Sequence, residues 1–363
     1  MPKMTHEILA GSDSSKSIAI CPMAGNIMSI ASAIVAIKKA ASAINSRGLA
    51  YSVTTDIQNP LRRKANRFTV CDGIANQGFT AMANTLVSVD WLHQHLDDAH
   101  VIVLDASYHL PTAKRDPDQE FVRQHIPGAL RFDIDEISDH QSELPHMLPS
   151  AEQFDQAMQD LGVGADMQII VYDSVGLFSA ARAWWMFRYF GHDEVAVLDG
   201  GLPTWIAAGY DLEAGRGKVI PPPHPFKSKR HLGWVVNAED LLENLESGDD
   251  LVLDARANPR YVGVAPEPRP GMRSGHIPGS ANVPFTDLLD ANTGCFKPVA
   301  EIRERFVKAG VDHQSLVVSC GSGVTACVLA LGLEIAGMLE PKLYDGSWSE
   351  WGSRDDLPIV TGD

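Results

Sequence analysis

The sequence predicts an α/β protein of two tandem domains, each a mainly parallel sheet flanked by helices. Three observations carry that prediction: unbroken apolar runs, helix-length stretches between them, and a sequence that repeats itself. The runs VIVLD (101–105), IIVY (169–172) and VAVLD (195–199), then LVLD (251–254), LVVS (316–319) and KLYD (342–345), are continuous and rich in β-branched residues. Strands buried on both faces read this way, whereas half-exposed strands alternate. Candidate helices fall at 151–161, 179–190, 238–247, 300–309 and 324–336, with another expected after Ser88. Alternation of the two implies a sheet covered on both faces.

The repeat rests on four matched pairs. VIVLDASYHLP (101–111) matches LVLDARANPRY (251–261), and EFVRQHIPGALRFDI (120–134) matches GMRSGHIPGSANVPF (271–285). IIVYDSVGLFSAARAWW (169–185) matches LVVSCGSGVTACVLA (316–330), and VAVLDGGLPTWIAAG (195–209) matches PKLYDGSWSEWGS (341–353). Near-constant offsets place two domains in tandem, 84–212 and 234–363, joined by a linker at 213–233 rich in Pro, Gly and Lys. Residues 1–81 stand apart. No charge interrupts Ser17 to Ile37, but Pro22, Gly25, Asn26 and several serines make that run a poor membrane span. A flexible or loosely helical extension is expected, with Met82 as a natural domain start.

Composition excludes several function classes. With 363 residues, 45% apolar and 21% charged, the chain is globular rather than disordered. A net charge of −16 argues against nucleic-acid binding, which runs on excess Lys and Arg. The five cysteines form no CxxC pair, which argues against a disulfide framework and a structural zinc site and favours a reduced compartment, the cytoplasm.

One cysteine carries the chemistry. Cys320 follows LVVS directly, at the carboxyl end of a predicted strand, where ligands bind in such sheets. Gly321 and Gly323 permit close backbone approach, and a helix begins near Thr325. Loop amides and the helix N-terminus together make a seat for an anion. The need is physical: a free thiol with a pKa of about 8.5 is only a few per cent ionised at neutral pH. Shifting that balance a hundredfold takes about 2.7 kcal/mol. Cys320 is therefore read as a nucleophile on a solvent-facing turn, Cys327 as a small buried hydrophobe, and Cys295 as a surface cysteine. A phosphatase would place an arginine six residues after the cysteine, where Ala326 stands, and a redox pair would need cysteine at Gly323. Sulfur carried as a persulfide fits what remains.

Two HIPG motifs, a cysteine in the second copy only, CGSGVTA and YDGSWSEW together make the sequence resemble the two-domain rhodanese family, over 84–358. The resemblance implies two rhodanese-like domains with the active site at their interface and Cys320 as sulfur acceptor. Gly321, Gly323, Val324 and Thr325 then belong to the binding loop. It implies that Asp135 and His146 of the first copy reach Ser322 as a proton relay, and that Arg260 and Arg269 grip the donor's carboxylate and keto oxygen. Neutral Gly321 and Ser322, where the thiosulfate branch places cations, favour 3-mercaptopyruvate as donor. A thiol such as thioredoxin, or cyanide, is the implied acceptor, with no metal or organic cofactor. Arg256, His125, His276 and the tryptophans at 184, 185, 205, 348 and 351 are read as structural. Thiosulfate transfer and a non-catalytic sulfur-sensing module are the alternatives.

Overall fold

The computed structural model describes residues 85–312 and 315–362, with two short strands before them. Those strands, β1 (Ser17–Ala19) and β2 (Arg67–Thr69), pair antiparallel with Ser17 opposite Thr69. The rest of the apolar run and the proposed start at Met82 lie outside the described residues.

Met82–Asp363 forms one compact unit built on two sheets. The first takes β3 (Leu86–Val87), β4 (Val101–Asp105), β5 (Leu130–Arg131), β6 (Gln168–Tyr172) and β7 (Val195–Leu198), in the order β3-β7-β6-β4-β5. The second takes β8 (Val235–Val236), β9 (Asp250–Asp254), β10 (Ala281–Asn282), β11 (Ser315–Ser319) and β12 (Lys342–Tyr344), in the order β8-β12-β11-β9-β10. All pairings within both sheets are parallel, and the two orders are the same topology. The repeat read in the sequence is thus a repeat of strand order.

Local chemistry sets the helix starts. In α1 (Val89–His95) the Ser88 hydroxyl accepts from Trp91 N–H, and α2 (Pro117–Arg123) is capped by Asp116. In α3 (Ala151–Asp160) Ser150 and Gln153 form a reciprocal capping box, as do Asn237 and Asp240 in α6 (Ala238–Ser247). Between these lie α4 (Ala180–Tyr189) and α5 (Gly201–Ala207). Then follow α7 (Asn258–Tyr261), α8 (Val299–Lys308), α9 (Ala326–Ile335) and α10 (Ser347–Trp351).

Helix α9 is buried on every face from Ala326 to Leu333. A helix that is apolar all round needs cover on all sides; here its own sheet supplies one side and α4 of the first copy another. One core cluster therefore runs through both copies, from Val171 and Trp184 to Val318 and Leu329. The HIPG histidines are structural in both copies: His125 Nδ1 lies 2.8 Å from Phe121 O and His276 Nδ1 2.9 Å from Tyr261 O. The five tryptophans named above are all buried. The linker is docked rather than free, with Phe226 buried and Lys229 N–H on Phe190 O at 2.8 Å.

Candidate active site

Strand β11 ends at Ser319, and the chain turns through Cys320–Thr325 into α9. Ser347, at the start of α10, holds this turn. Its hydroxyl donates to Tyr344 O at 2.8 Å and accepts from Cys320 N–H and Gly323 N–H, both at 3.1 Å. Trp348 N–H and Ser349 N–H take the carbonyls of Cys320 and Gly321. With its carbonyls tied back, the loop leaves the N–H groups of Gly321, Ser322, Val324 and Thr325 unbonded among the described residues. Gly323 has φ +75, and a Cβ there would stand 3.0 Å from Asp345 O. The position requires glycine.

The first copy shows what such a loop accepts. Asp173 replaces the cysteine, and its carboxylate takes N–H bonds from Val175 (3.0 Å), Phe178 (2.7 Å), Ser179 (2.9 Å) and Ala180 (3.0 Å). The loop is an anion receptor, filled in the first copy by its own side chain.

The expectation that Cys320 faces solvent is wrong: it is 2% exposed. The turn does stand at the end of its sheet, but the first copy covers that end. Two of the covering residues, His146 and Asp135, bring polar groups in line with the turn. His146 Nδ1 lies 2.9 Å from Ser322 Oγ, and its Nε2 lies 2.9 Å from Asp135 Oδ1. A carboxylate only accepts, so Nε2 carries the hydrogen and Nδ1 accepts from Ser322. That hydrogen bond from His146 holds Asp135 below the usual carboxylate range. His146 itself sits at φ +63, a strained conformation for a side-chain-bearing residue, fixed by its surroundings.

Of the two predicted arginines, Arg260 pairs with Glu267 and lies beside Gly321, whose Cβ would meet its Nη2 at 3.2 Å. Arg269 Nη2 donates to Tyr108 Oη at 3.3 Å. Arg256 is buried between Asp254 and Glu267 and stacks over Trp348 at 4.1 Å, a structural placement. Val324 enters the core with its side chain, so it offers the site only its backbone, while Thr325 is half-buried. Burial pushes the Cys327 thiol up to about 12, and its Sγ donates to Gly323 O at 3.3 Å. Cys295 is half-buried rather than a surface cysteine, 3.8 Å from Thr204 Oγ1 of the first copy.

Sequence reasoning missed four residues here: Tyr108, Arg182, Asp345 and Ser347. Arg182, fully buried, donates to His146 O at 2.6 Å and pairs with Asp345 Oδ1 at 2.8 Å, so it spans the two copies. Asp345 Oδ2 also accepts from Leu148 N–H. Ser347 left a readable signal. It aligns with Gly201, and both adopt positive φ, +50 and +55, so a serine stands where the other copy uses glycine.

Comparison with known proteins places this geometry. The Rhodanese-like domain family model matches residues 88–208 and 237–354. The human protein named 3-mercaptopyruvate sulfurtransferase is 45% identical over 280 residues, covering 75% of this chain and 93% of its own. An Arabidopsis thaliana protein named thiosulfate/3-mercaptopyruvate sulfurtransferase 1, mitochondrial, is 40% identical over 343 residues, covering 88% of each chain. The crystal structure of SseA from Escherichia coli, a 3-mercaptopyruvate sulfotransferase, superposes with a TM-score of 0.66 at 42% identity, over 73% of this chain and 99% of that one. The chain belongs to the rhodanese family, with two rhodanese-like domains in tandem.

Proposed function

We propose that this chain is a 3-mercaptopyruvate sulfurtransferase in which Cys320 accepts the sulfur and holds it as a persulfide. The observation that supports this most is the line Asp135–His146–Ser322, which ends two residues from Cys320. The Cys320 thiolate attacks the thiol sulfur of the donor. A sulfur–sulfur bond forms as the carbon–sulfur bond breaks, and pyruvate leaves as its enolate. The proton given up by the donor thiol ends on the enolate carbon, delivered through Ser322 and His146. Asp135, as an ionised carboxylate, accepts from His146 Nε2 and orients the ring.

Arg260 and Arg269 grip the donor's carboxylate and keto oxygen, as planar guanidinium groups do. The free N–H groups of Gly321, Ser322, Val324 and Thr325, in the turn that Gly323 permits, stabilise the sulfur anion before and after transfer. A thiol such as that of thioredoxin, or cyanide, then attacks the outer sulfur and restores the thiolate, a two-step covalent scheme. No metal or organic cofactor enters it. Three free cysteines among the described residues suit a reducing compartment, which we take to be the cytoplasm. None of the described helices is long and apolar enough to cross a membrane.

Thiosulfate is the second donor to consider, because the Arabidopsis relative carries both substrates in its name. Against it, the residues after Cys320 are neutral Gly321 and Ser322. The test is intact-protein mass spectrometry with either donor and no acceptor, with pyruvate followed in parallel. A one-sulfur gain on Cys320 from 3-mercaptopyruvate, with stoichiometric pyruvate, is expected. A gain from thiosulfate alone would move the assignment to that donor, and no gain from either would remove the enzymatic reading.

A further inference from the structure

Tyr108 belongs to the first copy, just beyond the end of β4, yet it lies among groups from both copies. It is 7% exposed. Its N–H donates to Ser179 Oγ at 3.1 Å, and its ring stands edge-on to the His146 ring at 4.7 Å between centroids. Its hydroxyl oxygen accepts from Arg269 Nη2 at 3.3 Å. Asp135 and Cys320 are near enough for their charges to act on the phenol. Two arms of the site thus meet at one side chain, His146 at its ring and Arg269 at its hydroxyl.

That hydroxyl has a particular bonding state. With its oxygen taken by Arg269, its hydrogen remains a separate donor, and no acceptor for it is present among the described residues. A guanidinium on the oxygen polarises the O–H bond and makes it a better donor. Burial raises the phenol above its ordinary value, so it stays protonated across the working pH range. The nearby groups that carry chemistry are Arg269, His146, Asp135 and Cys320; what the hydrogen lacks is an oxygen acceptor.

We propose that the Tyr108 hydroxyl, held by Arg269, is a specificity-determining hydrogen-bond donor for an oxygen of the α-keto acid head of the sulfur donor. The inference rests on the mercaptopyruvate reading above. An α-keto acid presents its carboxylate and carbonyl oxygens in one plane. Arg260 and Arg269 supply charge to that plane, and Tyr108 adds a neutral, directional donor from the opposite copy. A hydrogen bond to a charged acceptor corresponds to roughly 10- to 100-fold in affinity or rate. The second half-reaction involves no keto acid, so the hydroxyl has no part in it.

The test is Tyr108→Phe in the full chain, which removes one oxygen and leaves the ring to pack on His146. Single-turnover loading from 3-mercaptopyruvate is compared with discharge of the preformed persulfide to cyanide. Loading at low donor concentration is expected to fall about 10- to 100-fold, with discharge within about twofold of wild type. Loading within twofold of wild type would overturn the proposal, as would equal losses in both half-reactions, which would mark a structural role. A double variant with Arg269→Ala adds a second readout. If the two groups act as a unit, it is little worse than Arg269→Ala alone, whereas fully multiplicative losses would overturn the coupling. A wild-type chain that takes no sulfur from 3-mercaptopyruvate would overturn the functional reading and this inference together. Normal wild-type loading with an unaffected Tyr108→Phe variant would overturn the inference alone.

Discussion

Cys320 and Cys327 lie on the same loop-and-helix junction, and their surroundings assign them opposite fates. Cys327 is sealed in α9 with its thiol at about 12, so it stays protonated and unreactive. Cys320 faces a turn of unbonded N–H groups. Cys320→Ser should abolish persulfide formation and pyruvate release with the fold intact. Cys327→Ala should keep turnover within about twofold at a stability loss of about 1 kcal/mol for a small buried group. Peptide mapping after alkylation of the native protein should leave Cys327 unlabelled; labelling there would contradict its burial. Asp135 makes a pH prediction. Its folded value lies below the ordinary 3.8, so the stability its pair contributes is complete above that value and is lost as pH falls through the lower folded one. The stability difference between wild type and Asp135→Asn should therefore be constant from neutral pH down to about 4 and vanish in stronger acid. A difference that instead grew in acid would show that the carboxylate is not held in its charged form.

At the scale of elements, the turn between β11 and α9 depends on α10. Ser347→Gly would give the second copy the residue of the first. It relieves a left-handed serine, worth about 1–2 kcal/mol, and removes three hydrogen bonds of about 1 kcal/mol each. Stability should fall by about 1–2 kcal/mol, while persulfide formation slows severalfold; calorimetry beside single-turnover loading separates the two. Much at this scale was legible in the sequence. Unbroken apolar runs marked the central strands, and α3, α4, α6, α8 and α9 fall within two residues of the expected spans. The cysteine loop was marked by its own strand–glycine–helix pattern, whereas Arg260 and Arg269 were singled out only by the family resemblance. Edge strands of two residues, such as β5 and β10, carry too little pattern to read. Tyr108 and Arg182 were illegible for a different reason: each belongs to one copy and acts on the other. Their roles depend on docking, which leaves no local periodicity. The same docking hides Cys320, which a reading of its own turn placed in solvent.

For the molecule as a whole, the two copies share a core and a buried ion pair. Arg182 and Asp345 are both almost fully enclosed. Removing one partner of such a pair strands a charge, at about 3–5 kcal/mol. Asp345→Leu should lose that amount in chemical denaturation and also slow sulfur loading, because Asp345 fixes Leu148 N–H and Arg182 fixes His146 O. The continuous core through α4 and α9 predicts one cooperative unfolding transition for Met82–Asp363. Two separated calorimetric peaks from this region would show that the copies unfold independently.

Asp173 carries a further consequence. An aspartate bears its charged oxygens two bonds beyond Cβ, and a cysteine that has taken up a sulfur bears its terminal sulfur at the same bond count. The side chain fastened by Val175, Phe178, Ser179 and Ala180 is therefore an isostere of the loaded cysteine rather than of the empty one. One half of the molecule permanently wears the shape that the other adopts only between its two half-reactions.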